Sequence, residues 1–67
     1  MKVSYKKFFK LLIDKEYKKT QFAELAGISQ NTMAKLGKDE MVSLESLVKI
    51  CNVLNCTLDD IVELTKD

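Results

Sequence analysis

Sixty-seven residues with no proline, two glycines and many Lys, Leu and Glu make one helix-favouring domain, near the lower size at which a chain folds without a metal or disulfide staple. The absence of histidine excludes histidine acid–base chemistry and histidine metal ligands, and no uninterrupted apolar run approaches the ~20 residues that span a bilayer, so a cytoplasmic protein is expected. The net charge of +1 names no partner, but residues 1–38 hold nine lysines against Asp14, Glu16 and Glu24, whereas residues 39–67 hold Lys49 and Lys66 against seven acids.

A first helix is predicted from Ser4, as N-cap, to about Glu16. Tyr5, Phe8, Phe9, Leu12 and Ile13 recur at three- and four-residue steps and form its buried stripe, with Lys6, Lys7 and Lys10 on other faces. The helical spacing of Phe8 and Phe9 favours core packing over the alternative of platforms for single-stranded nucleic acid. Glu16 to Lys19 links this helix to the next. Lys18 and Lys19 then stand at a helix N-terminus, against the positive end of the dipole, which costs a few tenths of a kcal/mol and which a phosphate would offset.

The stretch Phe22 to Leu36 reads as two short helices joined by a tight turn. Phe22, Ala23 and Ala26 sit at helical spacing, Gly27 and Ile28 interrupt, and Ser29 opens a second run carrying Met33 and Leu36. A turn of roughly 90–120° within three or four residues needs one position of positive φ, which Gly27 supplies. Ala23 is small where two steeply crossing helices come closest. Ser29 offers its hydroxyl to the N–H of Asn31 or Thr32, a cap worth about 1 kcal/mol. Beyond Ser29, the inward positions are Met33 and Leu36, which leaves Gln30, Asn31, Ala34 and Lys35 outward. Gln and Asn can pair bidentately with adenine in the major groove, and Lys can reach guanine O6 or N7. The plain alternative is a solvated polar face.

Phe22-Ala23, Gly27-Ile28-Ser29, Thr32-Met33 and Leu36 resemble, at matching spacing, the helix-turn-helix of the Cro/repressor-type regulators, also called the xenobiotic-response-element type. The resemblance extends to a preceding amphipathic helix and two following helices, so it covers nearly the whole chain. It implies an all-α, compact five-helix lambda-repressor-like domain that binds double-stranded DNA, with the basic half facing the phosphates and the acidic half pointing away. It also implies that the first, second and sixth residues of the recognition helix read base edges, here Gln30, Asn31 and Lys35. Lys18, Lys19, Thr32 and Lys38 are then candidate phosphate contacts, with Thr32 alternatively packed. The chain departs from the family at Lys18, where Ser or Thr usually caps; the cap is weaker or shifts to Thr20. It departs again after the recognition helix, where Asp39 and Glu40 would repel a phosphate.

Gly37 is expected to end the recognition helix and begin a loop to Val42. Ser43 caps a fourth helix, Leu44 to about Leu54, apolar around most of its circumference and expected to be the most buried element. Thr57 and Asp60 look like a capping box opening a fifth helix through about Thr65, with Cys56 and Ile61 as its staple. Leu58, Ile61, Val62 and Leu64 spread over a broader arc than one-sided packing needs, which suggests a homodimer interface, although a monomer can expose one or two leucines. Under two-fold symmetry the recognition helices would enter successive major grooves about 34 Å apart on a pseudo-palindromic site.

Cys51 and Cys56 lack the paired spacing of a zinc ribbon and read as buried thiols rather than a redox switch, and no phosphate-cradling glycine loop is present. No enzyme, cofactor, metal or membrane partner is expected. Two functions are open. The first is a sequence-specific, double-stranded DNA-binding transcriptional regulator, a repressor acting as a homodimer. The second is a protein-interaction module of the same fold, an antitoxin-like subunit or adaptor, favoured by the absence of arginine, the preferred residue for bidentate phosphate and guanine contacts.

Overall fold

The structure, a computed structural model, describes residues 1–66 and runs β1 (Lys2–Ser4), α1 (Lys6–Asp14), α2 (Lys19–Ala26), α3 (Gln30–Gly37), α4 (Leu44–Leu54), a 3-10 turn (Leu58–Asp60) and β2 (Glu63–Thr65). Four helices are therefore present where five were expected. The capping box is half right: the Asp60 carboxylate accepts the Thr57 backbone N–H at 3.0 Å and faces its hydroxyl at 3.3 Å, but what it opens is one short turn. Ile61 then leaves helical geometry at φ −123. The run Ile61-Val62-Glu63-Leu64-Thr65 carries three β-branched residues, which suit extended backbone, and it pairs antiparallel with β1, Val3 opposite Leu64. The two ends of the described chain thus close on each other, and the fold is mostly helical rather than all-α.

The core draws on β1 and all four helices, with Ile61 added just after the 3-10 turn. Tyr5, Phe8, Phe22, Leu36, Ile50 and Ile61 are its largest fully enclosed side chains, with Phe8 stacked obliquely on Phe9 and edge-on to Phe22, 4.9 and 5.4 Å between ring centroids. Phe8 and Phe9 accordingly pack, as their spacing predicted. Ile13 does not: it lies on the outer face of α1, 74% exposed, while Leu11 takes part in the packing. Nor is α4 the most buried element. Only Ile50 and Leu54 are buried there, and Leu44 and Val48 face outward with the neighbouring Met41. Helix α4 packs chiefly against α2, so one side suffices and the surplus apolar width is left uncovered.

Each helix ends on a left-handed residue: Glu16 at φ 60, Gly27 at 73, Asp39 at 56 and Asn55 at 54. Their neighbours close the ends in one pattern, for example Tyr17 N–H to the Leu12 carbonyl and Glu40 N–H to the Lys35 carbonyl, both 2.9 Å. Gly37 is the last residue of α3, as expected, but the left-handed residue that turns the chain away is Asp39, two positions on. Ser4, expected as the cap of α1, lies in β1; its hydroxyl accepts the Lys6 N–H at 3.4 Å and the helix begins at Lys6.

Candidate nucleic-acid interface

The turn between α2 and α3 is assembled from local interactions. Gly27 stops α2 in the left-handed region, and Ile28 N–H reaches back to the Ala23 carbonyl at 3.0 Å. Ala23 is fully enclosed, which lets the two helices approach. Ser29 is extended at φ −74, ψ 158, and its Oγ accepts the Thr32 N–H at 3.0 Å, so the cap falls on one of the two expected amides. The hydroxyls of Ser29 and Thr32 lie 2.9 Å apart, which occupies the Thr32 side chain within the cap. Ile28, Met33 and Leu36 anchor the turn and helix in the core.

With those three inward, α3 presents Gln30, Asn31, Ala34 and Lys35 to solvent. The Gln30 amide lies 3.5 Å from the Thr20 carbonyl, which puts the start of α3 beside the start of α2. Lys18, Lys19, Gln30 and Asn31 are thus all at or near the adjoining starts of the two helices, and Lys35 follows about one and a half turns along α3. Lys38 lies at the far end of α3, roughly 12 Å from Gln30 by helical rise. Lys18 occupies the cap position of α2 with extended backbone and no side-chain hydrogen bond, and the cap does not shift to Thr20. No acid stands in that first turn. The ammonium of Lys19 sits 4.9 Å over the Phe9 ring, a cation–π contact that holds it at the surface.

Two features were not foreseen. Lys49, counted in the acidic half, reaches from α4 to within 3.5 Å of the Gly27 carbonyl while paired at 3.4 Å with Glu45, adding a cation behind the turn. Asp39, expected only as a repulsive charge, accepts the Tyr5 backbone N–H at Oδ1, 3.0 Å away, and the Tyr5 hydroxyl donates to the Glu40 carbonyl at 2.8 Å. No local signal reveals contacts 34 and 35 residues apart. Burial raises the Tyr5 phenol above its ordinary pKa, so it is a protonated donor at neutral pH.

Elsewhere the chemistry is quiet. Burial, reinforced by the adjacent Cys51, pushes the Cys56 thiol up to about 11, far from a reactive thiolate. Among the described residues no helix is long and apolar enough to cross a membrane.

A family model for the Cro/C1-type helix-turn-helix DNA-binding domain matches residues 7–67. The crystal structure of the transcriptional regulator VanUg, Form II, is similar at a TM-score of 0.93 and 50% sequence identity, the match covering 98% of this chain and 88% of that one. No curated protein matches.

Proposed function

The chain belongs to the Cro/C1-type helix-turn-helix DNA-binding family, and on that premise we propose that it is a sequence-specific regulator of transcription that binds double-stranded DNA. The observation that carries this reading is the outward polar face of α3. Gln30, Asn31 and Lys35 are exposed on a helix whose start is fixed by the Gly27 turn and the Ser29 cap. A helix held in this way can enter the major groove with the Asn31 amide facing base edges and the Gln30 amide able to exchange its long contact with the Thr20 carbonyl for one. Lys18, Lys19 and Lys38 lie at the ends of α2 and α3 and would neutralise phosphates on either side. Thr32, half-buried with its hydroxyl against Ser29, contributes through the cap more than through a phosphate.

The protein acts as a homodimer and a repressor in this reading. Two-fold copies would place their recognition helices in successive major grooves about 34 Å apart, a spacing similar to the longest dimension of the body, 32 Å. Leu58 and Leu64 are exposed near the C-terminal end and are the residues available for contact between copies, whereas Ile61 has turned into the core. The second reading, a protein-interaction module, draws on Met41, Leu44 and Val48, which leave an apolar strip open along α4.

Selection of bound duplexes from a random library separates the two. The wild type enriches a pseudo-palindromic site, and a variant with Gln30, Asn31 and Lys35 changed to alanine does not. Absence of enrichment by a folded wild type at low salt refutes the DNA reading. Singly, Gln30→Ala or Asn31→Ala costs about 1–3 kcal/mol on the selected site and relaxes preference at one base position.

A further inference from the structure

The far end of α3 is tied to the start of α1 by two hydrogen bonds that run side by side. Asp39, left-handed at φ 56, stops the helix and accepts the Tyr5 N–H through Oδ1 at 3.0 Å. Tyr5 answers with its hydroxyl, which donates to the Glu40 carbonyl at 2.8 Å, and its ring is enclosed in the core at 1% exposure. The last turn of α3 is continuous with this junction, because the Asp39 and Glu40 amides donate to the Leu36 and Lys35 carbonyls at 3.2 and 2.9 Å. A single bond would leave α3 free to pivot about it. Two bonds, one to the left-handed residue itself and one to the residue after it, braced by a buried ring, fix both its distance and its rotation.

The leverage is large. A rotation of ~10° at this anchor, carrying the Gly27 turn and Ser29 cap along as one piece, displaces the start of the helix, about 12 Å away, by roughly 2 Å. That exceeds the whole usable range of hydrogen-bond lengths. Bidentate base contacts from Gln30 or Asn31 do not survive such a shift, whereas flexible lysines follow a phosphate through it. Resting on the DNA-binding reading above, we infer that Tyr5 and Asp39 form a positioning clamp that sets the angle of the recognition helix in the major groove and so determines sequence specificity without touching a base.

The test measures affinity for the duplex that the wild type selects and for a random duplex of equal length, at one salt concentration, alongside the melting temperature. Tyr5→Phe keeps the ring and removes the bond to Glu40. It is expected to lower the ratio of selected to random affinity about 5-fold, with random-duplex affinity unchanged, while Tm falls by roughly 4–8 °C and leaves the protein folded during the assay. Asp39→Gly removes the acceptor but relieves the left-handed backbone, so the ratio falls while Tm is maintained. Asp39→Asn keeps both an acceptor and a residue that tolerates positive φ, and it preserves the wild-type ratio. An unchanged ratio in both Tyr5→Phe and Asp39→Gly overturns the clamp. So does a proportional fall on both duplexes, which reports lost folded protein. A wild type that selects no duplex removes the DNA reading itself, and the clamp with it.

Discussion

The two ends of α3 are held by different means. At its start everything is local: Gly27, Ser29 and Thr32 are near neighbours in sequence, and their conformations satisfy each other's backbone groups through bonds three to five residues long. At its end the decisive partner of Asp39 and Glu40 is Tyr5, 34 and 35 residues away in sequence. A glycine and a cap serve the first junction because only backbone freedom and one acceptor are needed there. The second uses an aspartate in the left-handed region, whose strain of about 1 kcal/mol is offset by an acceptor that glycine cannot provide. Local chemistry sets where the recognition helix begins, and tertiary contact sets where it points.

The largest expected effect breaks the local end. Gly27→Val forces a β-branched residue to φ 73, and since a Cβ there would meet nothing within 4 Å, the cost is backbone strain alone. About 2 kcal/mol is expected, read as a lower urea midpoint at unchanged slope. A wild-type midpoint would mean that the turn does not need positive φ. Ser29→Ala comes next, at about 1 kcal/mol, because one amide at the start of α3 loses its acceptor. A smaller change sharpens the comparison with the opposite sign. Glu16→Gly relieves a left-handed residue at φ 60 and should raise stability by about 0.5 kcal/mol, while Asn55→Gly should change little because Asn tolerates that region. Equal gains at both positions would show that side-chain identity does not matter at these ends.

The same division explains what could be read from the amino acids alone. The turn, the Ser29 cap, the Ser43 cap of α4 and the outward set Gln30, Asn31 and Lys35 all follow from short-range rules, and each stands in the structure where those rules put it. Left-handed helix ends without glycine were not legible: α3 does end at Gly37, but the left-handed turn after it falls on Asp39, whose side chain has a distant partner. The C-terminal segment was misread for a related reason. A three-residue strand is too short to display alternation, and the pairing that stabilises it comes from Lys2–Ser4, sixty residues upstream. Ile13, Leu44 and Val48 continue apolar stripes beyond the width that their neighbours cover, and periodicity alone cannot say where a covered face stops.

The finest comparison lies at the basic start of α2. Lys18 and Lys19 are adjacent exposed cations, yet among the described residues only Lys19 has a contact, the Phe9 ring at 4.9 Å. Removing either should weaken binding to all duplexes alike and reduce the slope of log affinity against log salt by about one unit, if both meet phosphate. Stability separates them. Lys18→Ala removes a like-signed charge from the positive end of the helix dipole and should gain a few tenths of a kcal/mol. Lys19→Ala removes the same repulsion but also the ring contact, worth about 0.5 kcal/mol at an exposed site, so its stability should stay level or fall slightly. A salt slope altered by Lys18→Ala and unmoved by Lys19→Ala would assign the Lys19 ammonium to Phe9 rather than to DNA. One phosphate contact would then remain at the start of α2.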